Sequence, residues 1–185
     1  ITDAEYATEL SRKAADRILN QDALGKKKLR YVSGEDLGKD ETDIFVEALQ
    51  SRQNFKFGED VLAAAIPNHK ALNEAAGKVA DDLGMDFKRD IPVKDLKRIN
   101  EKATDKYGGD YRQMTDAART GINVATMKQA DDFIAALGEK FHLLDEGWNV
   151  TPVGYFDRKI MVIFDDKTLG EIQIWPPGML KAKEK

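Results

Sequence analysis

The chain has 185 residues, 42% hydrophobic and 34% charged, which is enough apolar material for a core beneath a heavily charged surface. It contains no cysteine, excluding disulfides, thiolate metal sites and cysteine nucleophiles, and only two histidines, which argues against a multi-histidine metal centre. A net charge of -4 gives no general case for binding a DNA duplex or an anionic membrane, and the longest apolar run, Val61 to Ile66, is far short of a bilayer span.

Residues 1–90 read as helical. Thr2-x-x-Glu5 fits a capping box, and Ala7, Leu10, Ala14 and Ile18 follow at helical spacing. A loop comes next, with Gly25, Gly34, Gly38 and the triplet Lys26-Lys27-Lys28. The triplet reads first as a solvated loop, with phosphate or partner binding as the alternative. Thr42 caps a short helix carrying Phe45, Val46 and Leu49. A third helix is expected from Glu59 to Ile66, stopped or bent by Pro67, which lacks an amide and crowds the preceding turn. A fourth begins with Asn68 as its cap, uses Leu72, Ala76, Val79 and Leu83, and closes at Gly84. This half holds 14 basic and 18 acidic residues, so it carries the whole net charge. No basic segment followed by an apolar one opens the chain, so no signal peptide is expected. A first residue of Ile rather than Met points to something upstream, through processing, an expression boundary or a larger, even secreted, parent polypeptide. A soluble protein with a cytoplasmic site of action is the expectation.

From about residue 91 helices alternate with strands. Asp95 to Tyr107 is a helix with Leu96, Ile99 and Ala103 inward, closed by Gly108-Gly109. Ala118 to Val124 reads as a strand, and Met127 to Leu137 as a helix capped by Thr126. Three strand-like runs follow: Trp148 to Pro152, Tyr155 to Phe164 and Glu171 to Trp175. Asp165-Asp166-Lys167 is the turn of a hairpin, Pro176-Pro177 ends the sheet, and a short helix with Met179 and Leu180 closes the chain. The prediction is an α+β chain: a helical region over 1–90 and, over 91–185, a mixed β-sheet flanked by helices.

Strand alternation sorts the last hairpin. Ile172 and Ile174 point one way; Glu171, Gln173 and Trp175 point the other. In the neighbouring strand Phe156, Arg158, Ile160, Val162 and Phe164 take the core side, leaving Tyr155, Asp157 and Lys159 opposite. Tyr, Asp, Lys, Glu and Gln on one face form a candidate site. An ordinary amphipathic sheet with a solvated polar face is the competing reading.

Three segments taken together resemble the synthetase domain of the RelA/SpoT family, which makes guanosine tetra- and pentaphosphate alarmones and has a nucleotidyltransferase-like fold. They are Thr115-Asp116-Ala117-Ala118-Arg119-Thr120-Gly121-Ile122, Gly154-Tyr155-Phe156-Asp157 and Gly170-Glu171-Ile172-Gln173-Ile174. The resemblance covers roughly Asp95 to Lys183, and the family includes toxin-like relatives. It implies Mg²⁺ held by Asp116 and Glu171, with Glu171 sharing the metal or activating the acceptor hydroxyl. A hard cation of this kind needs only one or two carboxylates, because substrate phosphates and waters complete its shell. Tyr155 matches the tyrosine that stacks on the acceptor base, and Asp157 and Gln173 on the same face are candidate acceptor contacts. The family's donor-phosphate residues are basic side chains on the preceding helix. Here Arg98, Lys102 and Lys106 form a stripe at i, i+4 and i+8, with Arg119 nearby. The implied partners are ATP, a nucleotide or RNA acceptor and, for a toxin or effector, an immunity or antitoxin protein. The segment Val150-Thr151-Pro152-Val153-Gly154 lacks the lysine of the family's acceptor loop, and Trp175-Pro176 stands where the family has Arg-Thr, so the acceptor is left open. Three readings result: a pyrophosphotransferase, a catalytically silent nucleotide- or protein-binding module, and a helical structural module.

Overall fold

A computed structural model describes residues 30–31, 55–86, 91–150 and 156–176. Among them lie β1 (Arg30–Tyr31), α1 (Gly58–Asp82), α2 (Leu96–Tyr107), a 3₁₀ turn (Tyr111–Gln113), β2 (Ala118–Asn123), α3 (Met127–Leu137), β3 (His142–Val150), β4 (Phe156–Ile163) and β5 (Leu169–Trp175). The strands form one mixed sheet in the order β1-β3-β4-β5-β2. The β2–β5 pair is parallel and the other pairs are antiparallel. This is an α+β fold. The segments expected to be helical over 1–29 and 32–54, the boundary near residue 90, and the closing helix around Met179 lie outside the described residues.

Local chemistry sets most element ends. The Asp95 side chain accepts the Arg98 amide to cap α2, and Gly108, in the left-handed region at φ +59°, closes it. The Thr126 hydroxyl accepts the Gln129 amide to cap α3. The hairpin turn between β4 and β5 falls at Asp165-Asp166-Lys167, where the Asp166 carboxylate accepts both the amide and the hydroxyl of Thr168.

Three expectations are corrected. Helices three and four are one helix: α1 runs through Pro67 without a break. Val61, Ala65, Leu72, Ala76 and Val79 form one buried stripe on both sides of the proline, and packing of that stripe outweighs its cost of about 3 kcal/mol. Ala63, whose carbonyl loses its partner to Pro67, is itself exposed, so water can replace the missing amide. Asn68 is therefore no cap. Its amide instead donates to Asp166 and to Thr168 in the distant β4–β5 turn, at 3.1 and 2.9 Å. The second correction is the loop expected around residues 25–38, which contains the short edge strand β1, paired with β3. In the third, β3 starts at His142, six residues before the expected Trp148.

The core is continuous between helices and sheet. Leu72 of α1, Ile99 of α2 and Phe133 of α3 share one buried cluster with Ile122, Ile160 and Ile172 of the sheet. Each fully buried Leu, Ile or Phe contributes about 1.5–3 kcal/mol. Polar anchors on α1 then position the edge of the sheet. Asn73 donates to the Arg119 carbonyl and accepts from the Thr120 hydroxyl, and His69 Nε2 lies 2.7 Å from the Ile91 carbonyl oxygen. The opposite face of the sheet is not the solvated surface of an amphipathic sheet. Leu144, Asp157, Met161 and Trp175 are buried on it, and the Trp175 ring lies so close over Gly121 that a Cβ there would collide with it.

Candidate active site

Asp116 sits just ahead of β2, where Lys94 donates its backbone amide to the Ala117 carbonyl at 3.0 Å. That bond brings the segment leading into α2 alongside the start of the strand. The Lys94 ammonium then lies 3.0 Å from Asp116 Oδ2, and Lys102, two turns into α2, lies 2.7 Å from the same oxygen. All three side chains are largely withdrawn from water, with relative exposures of 7% for Lys94, 20% for Lys102 and 13% for Asp116. The other carboxylate oxygen, Asp116 Oδ1, is buried and has no hydrogen-bond partner.

Burial pushes the Asp116 carboxyl up, but the charges of Lys102 and Lys94 outweigh it and hold its pKa below the ordinary value of 3.8. The same burial lowers Lys94, which Asp116 offsets only in part. At Lys102 desolvation is outweighed by the attraction of Asp116, helped by Tyr107 and Glu171, and the pKa is raised. Glu171 behaves oppositely to Asp116. Burial, reinforced by the Asp116 charge, pushes its carboxyl above the ordinary value of 4.5, against opposition from Lys159, Lys102 and Lys94. Two carboxyl groups with displaced and opposite affinities for a proton stand together, the pattern that separates a permanent anion from a proton acceptor.

Both line one cavity of about 460 Å³. Its wall also carries Lys102, Lys106 and Tyr107 of α2, Glu146 of β3, Lys159 and Met161 of β4, and Gln173 of β5. The parallel register sets Glu171 beside Arg119, three residues after Asp116, which is how carboxylates 55 positions apart meet.

Of the remaining residues singled out in the sequence, Gln173 lines the cavity and donates its amide to Asp157 Oδ2 at 2.7 Å. Asp157 is fully buried, its Oδ1 unpartnered, and it is not part of the cavity wall among the described residues. Arg98 is exposed and outside the wall. Each four-residue step on a helix turns by about 40°, so a stripe at i, i+4 and i+8 spreads too far for all three members to face one hollow. Arg119 donates through Nε to the Pro92 carbonyl and also stands outside the wall. Tyr155 lies outside the described residues, as does the Phe156 side chain. Sequence reasoning counted Lys94 among the basic side chains offered for the donor phosphates but left it out of the stripe, and it passed over Glu146. The first had one available signal, its place eight residues before Lys102. The second sits in the part of β3 that lies ahead of the expected start at Trp148.

Asp116 and Glu171 are hard oxygen donors, and the unpartnered Asp116 Oδ1 has lone pairs to offer. Among the described residues no group of three or more His, Asp or Glu side chains is gathered to hold a cation. Two carboxylates would suit only a cation that takes one or two of them and fills its shell with phosphates and water, as Mg²⁺ does. Among the described residues no helix is long and apolar enough to cross a membrane.

No family model matches the chain, and no curated protein matches it in sequence. Its fold is similar to that of a chain in the crystal structure of the complex between the Type VI effector Tas1 and its immunity protein, with a TM-score of 0.55 and 22% identity. The likeness covers 66% of this chain and 62% of that one, less than two thirds of the neighbour's length. At that identity the likeness establishes the α+β fold and leaves the chemistry to the cavity.

Proposed function

We propose that this chain is a RelA/SpoT-like pyrophosphotransferase domain of the effector type, transferring pyrophosphate from ATP to the 3′-hydroxyl of a nucleotide or RNA acceptor. The observation that carries the reading is Asp116: an ionised carboxylate with one oxygen fixed by two lysines and the other buried without a partner, in the same cavity as Glu171. In this reaction the acceptor 3′-oxygen forms a bond to the β-phosphorus of ATP, the bond from that phosphorus to the α-bridging oxygen breaks, and AMP leaves. Phosphoryl-type transfer asks the protein mainly for positioning and charge balance.

Lys102 and Lys106 face the cavity from α2 and suit the donor phosphates, with Lys94 behind them. Arg98 and Arg119, which the resemblance implies for the same triphosphate, stand outside the cavity wall and could reach it only from its surroundings. Glu171, with its raised affinity for a proton, receives the proton of the attacking hydroxyl. Asp116 and Glu171 would hold Mg²⁺, which when bound supplies charge neutralisation at the donor phosphates. Tyr155 would stack on the acceptor base, and Gln173, whose amide is held by the buried Asp157, would contact the acceptor from the cavity wall. The Tas1 complex pairs an effector with its immunity protein, which supports the effector context and makes an immunity protein the expected partner class.

A second reading, a silent nucleotide-binding relative, is favoured by the same ion cluster, because two lysines already neutralise the carboxylate that a metal would need. Incubation with β-labelled ATP, Mg²⁺ and a panel of nucleotides and tRNA, followed by chromatography, separates them. Labelled acceptor and released AMP support transfer. ATP raising the melting temperature with no product from any acceptor supports the silent module.

A further inference from the structure

The cavity is not uniform in charge from end to end. Lys102 and Lys106 stand on α2, with the Lys102 ammonium on Asp116 just ahead of β2, whereas Glu146 stands on β3, two strands beyond β5, with Lys159 of β4 beside it. Glu146 is placed there by a β-bulge. Asp145 pairs with Ile160 and Trp148 with Arg158, so Glu146 and Gly147 together oppose the single residue Lys159. Gly147 makes the bulge with φ +75°, a conformation that a side chain would strain.

The bulge is held from the other face of the sheet. The Gly147 amide donates to Asp145 Oδ1 at 2.8 Å, and that buried carboxylate is gripped by Arg158 through both Nε and Nη2. Arg158 is anchored in turn by Asp131 of α3 at 2.7 Å and by the Trp148 ring, 5.6 Å from its centroid. An arrangement so fully determined fixes where Glu146 stands.

Neighbouring strands are about 4.8 Å apart, so Glu146 on β3 lies two strands, roughly 10 Å, from the strand of Glu171. A nucleoside spans that interval. With its 3′-hydroxyl at Glu171 and the donor phosphates at the α2 lysines, the far end of the acceptor arrives at β3. An ionised carboxylate accepts hydrogen bonds and donates none, and its several lone pairs let it take an N–H group beside any contact it already makes.

We propose that Glu146 is a specificity-determining residue, which accepts a hydrogen bond from the N–H edge of the acceptor's nucleobase. This rests on reading the cavity as the pyrophosphoryl-transfer site, with the acceptor on its β3 side.

The test compares AMP, GMP and CMP, each with N–H donors on the base edge, with purine riboside 5′-monophosphate, which has none. The full chain should use at least one of the three about tenfold or more better than the purine riboside compound, the expected discrimination for a charged hydrogen bond. Glu146→Ala should reduce that ratio to below threefold, and Glu146→Gln, which keeps the size and one acceptor oxygen, should fall between. The KM for ATP should stay put in both variants. An unchanged ratio in Glu146→Ala, or ATP and acceptor constants moving together, overturns the assignment. If the parent transfers nothing, the transferase reading fails, and calorimetric titration of the same four monophosphates decides on Glu146 alone. The tenfold preference, lost in Glu146→Ala, would uphold it as a base contact, and equal affinities in parent and variants would reject it.

Discussion

On the helix-packed face of the sheet, Arg158 reaches Asp145 with two guanidinium nitrogens and Asp131 with a third, and the Gly147 amide joins the same carboxylate. At the cavity, Lys94 and Lys102 both converge on Asp116 Oδ2 and leave Oδ1 buried and unpartnered. Both clusters bury charge, yet they differ in saturation. The first has its lone pairs and donors committed within the protein, so it holds elements together and has little to give a ligand. The second keeps an acceptor oxygen in reserve beside an open cavity, which is costly unless something else uses it. Unspent bonding capacity, more than charge as such, separates the candidate site from the structural cluster.

The sharpest break in that comparison is Asp116→Asn, which keeps the size and removes the anion. Pyrophosphoryl transfer should fall about a thousandfold or more while circular dichroism shows the fold intact. Loss of folding instead would make the lysine–aspartate cluster structural like the other one.

Glu171→Gln should reduce transfer by about 10²–10⁴-fold, the usual contribution of general base catalysis. The same change should raise the melting temperature in metal-free buffer at pH 7. A folded-state pKa above the unfolded value means the folded protein disfavours the charged form, and that penalty is fully present at pH values above both. The parent should gain on the variant as pH falls through the raised pKa toward the ordinary 4.5, because its carboxyl then takes up the proton it prefers. Asp116 runs the other way. Its depressed pKa contributes stability above the unfolded value of 3.8, lost as pH falls through the folded value, so the two windows separate in a series of urea melts. A parent more stable than Glu171→Gln at pH 7 would contradict the assigned direction.

Arg158→Ala tests the saturated cluster. It leaves Asp145 buried without its cation and should cost about 3–5 kcal/mol in urea unfolding. Acceptor preference should broaden in whatever fraction stays folded, because the bulge loses its support. A loss below 1 kcal/mol would show that the network is not needed (an exposed pair is worth about that much at most). The smallest effect belongs to Lys128→Ala. Its partner Asp132 lies 2.7 Å away on the surface of α3, and neither melting temperature nor transfer should change measurably.

Much of this molecule was legible because its signals are local. The Asp95 cap and Gly108 closure bound α2, and alternation in Glu171-Ile172-Gln173-Ile174 predicts which side each residue faces, because both depend on neighbours in the chain. The pairing of Asp116 with Glu171 as a candidate site came from motif resemblance and alternation together, with no distance attached. Tertiary structure decided the rest. Pro67 reads as a helix stop until a buried stripe on both sides of it makes continuity the better packing. Leu144-Asp145-Glu146-Gly147 falls ahead of the strand expected from Trp148, since a strand there makes sense only once Arg158, thirteen residues after Asp145, satisfies that carboxylate and a bulge admits the extra residue. Lys94 looks like any charged residue ahead of a helix until the Ala117 carbonyl draws its backbone to β2 and places its ammonium on Asp116. Patterns with a period of two or 3.6 residues are carried by the sequence itself. Ion clusters assembled from separate elements have no period, and only the folded chain brings their members within a few ångströms.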